Sequence, residues 1–178
     1  MPQALFSPFP LLRSERLYLR ELTIDDAHEI YELRSLPAMN KYIDRPLAVS
    51  IEEAHTFIRK IEKVIRTNES IYWAISLKNE PKLIGTICLW NFSEDHSVAE
   101  LGYELHPDQQ GKGIMTEALK KVLEYGFGVL QLKIIEAYTH WENMASIQLL
   151  ERADFAMGSR KEDLLVYRKT ADPSRIKI

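Results

Sequence analysis

Between Ile71 and Leu105 three apolar runs, IYWAISLK, LIGTICLWNF and VAELGYEL, are separated only by Asn79–Lys82 and Ser93–Ser97. Connectors this short turn neighbouring strands back on one another as hairpins or near-hairpins, because a parallel return needs a crossover of a dozen or more residues. The middle of the chain is therefore predicted to be an antiparallel sheet. Around it, RLYLREL at Arg16–Leu22 alternates as a strand, and Lys133–Trp141 and Asp163–Lys169 read as further strands.

Helical segments lie between these strands. Thr23 precedes a run with acids in its first turn, and Ser50 with Glu53 has the spacing of a capping box. Behind Ser50, Ile51, Ala54, Ile58, Ile61 and Ile65 recur at helical spacing as one buried stripe. Met115, Ala118, Leu119, Val122 and Leu123 form a second stripe, ended by Gly126 and Gly128, and Asn143 caps a short helix. Pro37 to Pro46 reads as a loop. The pattern predicts a mixed α/β (α+β) sandwich around one mostly antiparallel sheet. At 178 residues it is expected to be one domain, 1–178, with residues 1–14 as an irregular arm and 170–178 as a loose tail.

The composition narrows the partners. A net charge of −3 argues against broad binding to nucleic acid, which needs clustered basic surface. No apolar run approaches the ~20 residues needed to span a bilayer, and the single cysteine, Cys88, fits a reducing cytoplasm without disulfides. The histidines show no paired metal spacing, so no metal site is expected.

The stretch most suggestive of chemistry is ELHPDQQGKGIMTEAL, Glu104–Leu119. The N–H groups of a helix's first turn lack partners inside the helix and sit at its positive end. Glycines just before that turn let a phosphate approach the backbone. Gln110, Gly111, Lys112, Gly113, Met115 and Thr116 thus read as an anion cradle, although glycines before a helix are often only a turn. The stretch is not a P-loop, since Gly113 follows the lysine, and as a dinucleotide fingerprint it fails at Thr116.

Taken together, AELGYELHPDQQGKGIMTEAL and WENMASIQLLERADF resemble the GNAT acetyltransferase superfamily, in particular the branch of ribosomal-protein N-terminal acetyltransferases. The resemblance covers about Arg16 to Arg168. It implies a splayed sheet with helices on both faces, and acetyl-CoA as cosubstrate with its pyrophosphate at the cradle. Leu105 would lend main-chain hydrogen bonds to the pantetheine arm, and Lys112 would reach a phosphate. Asn143 would cap its helix and bond the arm or the substrate amide.

Two departures from the family pattern stand out. Met115 replaces a small residue and would crowd the phosphate or pantetheine unless it turns into the core. Asp154 replaces the glycine before Phe155, at the expected cost of a left-handed aspartate.

Val98, Glu100, Gly102 and Glu104 share one strand face, and Leu101, Tyr103 and Leu105 the other. Without the resemblance both glutamates read as solvent-facing. With it, Glu100 becomes the base for an incoming amine, with Glu104 and His106 next in line, and Gly102 is expected to mark a bulge. Ser146 would contact the thioester sulfur and protonate the leaving thiolate. Tyr72, Trp73, Trp90, Tyr138, His140 and Trp141 are candidates for an acceptor cleft, against the plainer reading of core aromatics.

The implied activity is transfer of acetyl to a primary amine, a protein N-terminus or a small molecule, by direct attack. A CoA-binding sensor of the same fold and a dinucleotide-dependent oxidoreductase are the alternatives. An edge strand near the C-terminus is available to pair with a second subunit as a homodimer.

Overall fold

The computed structural model describes residues 5–172. Its eight strands form one sheet in the order β1-β2-β3-β4-β5-β6-β8-β7. The strands are β1 (Leu12–Arg13), β2 (Leu17–Glu21), β3 (Ile71–Leu77), β4 (Glu80–Trp90), β5 (Val98–Leu105), β6 (Ile134–His140), β7 (Ala156–Lys161) and β8 (Leu164–Thr170). The helices are α1 (Ala27–Ser35), α2 (Pro37–Asn40), α3 (Ile51–Arg66), α4 (Ile114–Gly128) and α5 (Met144–Arg152). Every neighbouring pair is antiparallel except β5 with β6, the pair joined through α4.

Strand parity explains which helix covers which face. Trp73 meets Tyr125 of α4 edge-on at 5.5 Å, so the face carrying Trp73, Ile87, Leu89 and Leu101 lies under α4. Tyr72 meets Phe57 of α3 at 5.7 Å, so the face carrying Tyr72, Cys88, Glu100, Gly102 and Glu104 lies under α1–α3. Covered on both sides, β3 is buried from Ile71 to Ser76. Ser50 Oγ caps α3 by accepting from the Glu53 N–H, but the Glu53 carboxylate accepts from Val49 N–H rather than from Ser50, so the expected capping box is only half formed. Ala54, Ile58, Ile61 and Ile65 are buried as the stripe requires, each isoleucine contributing ~1.5–3 kcal/mol.

Several expectations need correcting. The arm expected to be irregular ends in a short strand and is docked: Leu12–Arg13 pair with β2, Phe6 is buried, and Trp73 Nε1 donates to Pro10 O at 2.8 Å. At the other end Thr170 pairs with Ile134 and Ala171 N–H donates to Lys133 O. The rest of the arm and tail, 1–4 and 173–178, lie outside the described residues. Within the expected loop 37–46 Pro37 opens a one-turn helix, where its missing N–H costs nothing. The exposed edge strand β7 escaped the apolar-pattern reading because none of its residues is buried. Gly102 marks no bulge: it pairs in regular register with Cys88, and a Cβ there would lie 2.9 Å from Cys88 Sγ. Asp154 is left-handed, as expected, with φ 61°.

The β5–β6 ladder carries the functional consequence of this topology. Its rungs run from Val98–Ile134 to Leu101–Ala137 and stop there. Beyond that point Gly102–Leu105 stay with β4, while Tyr138–His140 stay with β8. The two strands therefore part, and a wedge opens in the middle of the sheet.

Candidate functional site

The cradle forms at the open end of the wedge. Gly111 and Gly113 have φ of +72° and +74°, and Gly113 caps α4 in the left-handed region. A Cβ on Gly111 would meet nothing within 4 Å and one on Gly113 only Arg16 Nη2 at 3.5 Å, so backbone conformation rather than space requires glycine at both. Gly113→Ala should accordingly cost about 1–2 kcal/mol, lowering Tm by ~2–4 °C per kcal/mol. A calorimetric titration with acetyl-CoA should show weaker binding in the same variant. Met115 is buried in the core, so it leaves the cradle open, while Thr116, Gly111 and Lys112 are exposed. Gln110 turns back and donates through Nε2 to Leu105 O at 3.0 Å. Lys112 Nζ rests 3.4 Å from Gln109 Oε1.

A clamp invisible to local pattern holds the cradle on the sheet. Glu117 accepts from Ser14 Oγ at 2.6 Å, from Arg16 N–H at 2.8 Å and from Arg16 Nε at 2.7 Å. Arg16 Nη1 also donates to Lys112 O at 2.9 Å. Burial would raise the Glu117 carboxyl, but the hydrogen bonds from Ser14 and Arg16 outweigh it and hold it below the usual range. Glu117 and Lys121 have the i,i+4 spacing of an exposed helix pair, but the clamp takes Glu117 instead. Lys121 pairs with Glu124 at 2.6 Å.

Asn143 caps α5 through its side-chain oxygen, which accepts from Ser146 N–H. The cap places Ser146 Oγ 2.6 Å from Tyr103 Oη on the α4–α5 face of the wedge. Burial pushes the Tyr103 hydroxyl up to about 12, the bond to Ser146 opposing, so Tyr103 keeps its proton at neutral pH. The sequence pattern places Tyr103 only on the face opposite Glu100, and nothing local to its strand announces the serine.

Glu100 lies on the other face, half-buried, opposite Trp90 on one side and Glu136 on the other. Burial raises its pKa and Glu136 adds to this, while a long 3.4 Å bond from Asn91 opposes. Glu136 itself is held by Arg168 Nε at 2.7 Å. Glu104 is differently occupied: Arg45 Nη2 donates to it at 2.7 Å, and Arg45 Nε donates to Asn40 Oδ1 at 2.6 Å. His106 Nδ1 accepts from Asp108 N–H within the following turn. Glu100 thus combines a raised pKa with a single long hydrogen bond, while Glu104 is tied to Arg45.

The aromatic candidates divide. Trp73 is core, under α4. Tyr72, bonded to Thr86 at 3.0 Å, and the half-exposed Trp90 line a cleft of about 760 Å³ between α3 and the end of β4, together with Phe57, Cys88 and Phe92. Asn91, the partner of Glu100, lines the same cleft. Burial pushes the Cys88 thiol up to about 12, which keeps it protonated and unreactive. His140 stacks on Tyr42 at 5.2 Å and against Trp141 at 6.0 Å, bringing the segment after α2 over the wedge. Among the described residues no group of three or more metal-ligating side chains comes together, and no helix is long and apolar enough to cross a membrane.

Comparison with known proteins agrees with this geometry. Residues 16–156 match the acetyltransferase (GNAT) domain. The uncharacterized N-acetyltransferase YoaA of Bacillus subtilis is 34% identical over 157 residues, 88% of this chain and 86% of the relative. The spermidine N(1)-acetyltransferase of Escherichia coli is 24% identical over 140 residues, covering 78% and 72%. Among solved structures, RimL, a ribosomal alpha-N-protein acetyltransferase in complex with coenzyme A, shares the fold with a TM-score of 0.82 at 17% identity, covering 92% of this chain and 99% of that one. The chain belongs to the GNAT acetyltransferase family and is an N-acetyltransferase. The mostly antiparallel sheet, with α4 as the single crossover between parallel strands, leaves the dinucleotide-dependent alternative without its fold.

Proposed function

We propose that the chain transfers acetyl from acetyl-CoA to a primary amine by direct attack, with Glu100 as base and Ser146 as acid. One observation supports this above the others: the two groups lie on opposite faces of a sheet that parts between them. An acyl thioester reaching into the wedge would meet the amine from the α1–α3 face and release its sulfur toward α5. Gly111–Thr116 would hold the phosphates by backbone N–H groups, with Gln110 and Leu105 shaping the arm's path and Asn143 setting the α5 turn. The left-handed glycines and the inward Met115 fit that ligand.

In the step itself Glu100 takes a proton from the amine, whose nitrogen bonds to the carbonyl carbon. The carbon–sulfur bond breaks, and the sulfur receives a proton from Ser146, relayed through Tyr103. Solvent replaces that proton and takes the amine's proton from Glu100, so both groups are restored. Bringing the partners together supplies up to ~7–11 kcal/mol in favourable cases. Ser146→Ala is expected to lower kcat about tenfold, less than a typical general acid, because a thiol of pKa ~8.5 departs readily. The deficit should shrink above that pH, where thiolate leaves unprotonated. Weaker acetyl-CoA binding with normal kcat would instead reduce Ser146 to a binding group.

For the acceptor we favour a protein N-terminal α-amine. With a pKa near 8 it needs less help from a lone carboxylate than an amine near 10.4. The relatives named as spermidine N(1)-acetyltransferases support a second reading, a polyamine, to which Glu69 and Glu94 in the cleft add negative charge. Incubating the protein with acetyl-CoA and a panel of N-terminal peptides and polyamines, read by mass spectrometry, separates them. Acetylated peptide α-amines are expected. Acetylation of polyamines alone would overturn the preference, and no thiol release with any acceptor would favour a CoA-binding sensor.

A further inference from the structure

Thr139 is 5% exposed, and among the described residues its Oγ1 is the buried side-chain oxygen without a hydrogen-bond partner. Buried hydroxyls are nearly always bonded, so an orphan calls for an explanation. Its position supplies one. The last rung of the β5–β6 ladder joins Leu101 to Ala137. Two residues further along each strand stand Tyr103 and Thr139, on the face that Leu101 and Ala137 share, just where the strands have parted. Ser146, also buried, bonds to Tyr103 from the first turn of α5 on that face. Three hydroxyls from three elements thus lie on the same face beside the parted strands, two bonded to each other and the third unpaired.

We infer that Thr139 is a binding residue of the transfer site, its hydroxyl donating a hydrogen bond to the thioester end of the acyl-CoA held in the wedge. The inference rests on the acetyl-CoA reading above and adds a residue to it. Thr139 has been desolvated in folding, so the bond it makes to ligand displaces no ordered partner. The hydroxyl would fix the acetyl group's position relative to Ser146 without taking part in proton transfer.

Thr139→Val removes the hydroxyl and keeps the shape, and Thr139→Ser keeps the hydroxyl. Calorimetric titration with acetyl-CoA is expected to show about three- to tenfold weaker binding for valine, the value of one neutral hydrogen bond, and near-normal binding for serine. Ligand-free valine protein should melt no lower than wild type, since an unpaired polar atom has been replaced by a methyl group. A merely structural threonine would move the melt and leave the affinity alone. Thr139→Ala repeats the comparison if valine fails to fold, with the same loss of affinity expected. Unchanged affinity in both hydroxyl-free variants, or serine binding as weakly as valine, would overturn the inference. Wild-type protein that did not bind acetyl-CoA would sink the underlying function first, before any variant was compared.

Discussion

Glu100→Gln should lower kcat/KM by about 10²–10⁴-fold, the usual worth of a positioned base, while making the protein more resistant to heat. Both effects come from one cause. Glu100 is half-buried beside Glu136, with only a long bond from Asn91, so its carboxyl holds its proton more tightly in the folded state than in the unfolded chain. A group with a raised folded pKa contributes stability that is fully present below the unfolded value, ~4.3 for glutamate. That contribution is lost as pH rises through the folded pKa. At neutral pH the ionised Glu100 therefore weakens the fold, and an uncharged amide of the same shape relieves it. The gain in Tm should vanish in acid, where wild-type Glu100 is protonated too. Activity runs the other way, since only the carboxylate accepts a proton: wild-type kcat/KM should climb with pH through the Glu100 titration, and the glutamine variant should lack that limb. Thermal melts and rate profiles across pH check both signs. A variant with full turnover and the wild-type profile would pass the base role to another group.

Arg45→Met should be the most destabilising single change near the wedge, about 3 kcal/mol. The Arg45 and Glu104 side chains are 16% and 8% exposed and meet at 2.7 Å. Removing one partner of a buried pair leaves the other's charge poorly compensated, typically at a cost of ~3–5 kcal/mol, although the field of Arg34 still reaches Glu104. The lower figure suits a pair with some access to water. Arg45 also donates to Asn40, whose side-chain N–H groups hold Leu33 O and Leu36 O. The loss should therefore loosen the segment that carries Tyr42 to His140, and acceptor KM should rise while acetyl-CoA affinity holds. The double variant Arg45→Met with Glu104→Gln should regain much of the stability, because no carboxylate is then stranded. Urea unfolding of the two single variants and the double variant measures the coupling. Additive losses would mean that the pair contributes little beyond packing.

How much was legible in the sequence differs between elements for physical reasons. The α3 stripe and the meander β3–β5 repeat with the periods their backbones impose, so their faces were readable. The cradle was readable because left-handed backbone and close approach select glycine, and its match to a family pattern gave it a ligand. By contrast β7 buries no residue, so no apolar alternation marks it. Glu117 has the spacing of an exposed helix pair with Lys121, yet Arg16, 101 positions away, takes it. Gly102 looked like a bulge because a glycine inside a strand has several uses. Here it makes room for Cys88.

The sequence by itself determined most of the elements and the glycine cradle, and its family resemblance singled out Glu100 and Ser146 as candidates, since these depend on local periodicity, glycine conformation and motif. Which side chains meet was decided only by the tertiary structure. The parting of β5 from β6 after Leu101 arises because each strand keeps a different antiparallel neighbour, a choice settled across the whole sheet. Strand alternation puts Glu100 and the Tyr103–Ser146 pair on opposite faces, the parting opens the sheet beside them, and Thr139 lies buried there without a partner. Hydrogen bonds between residues 43 or 101 positions apart leave no trace in a short window, because only the closed chain brings their atoms within 3 Å of each other.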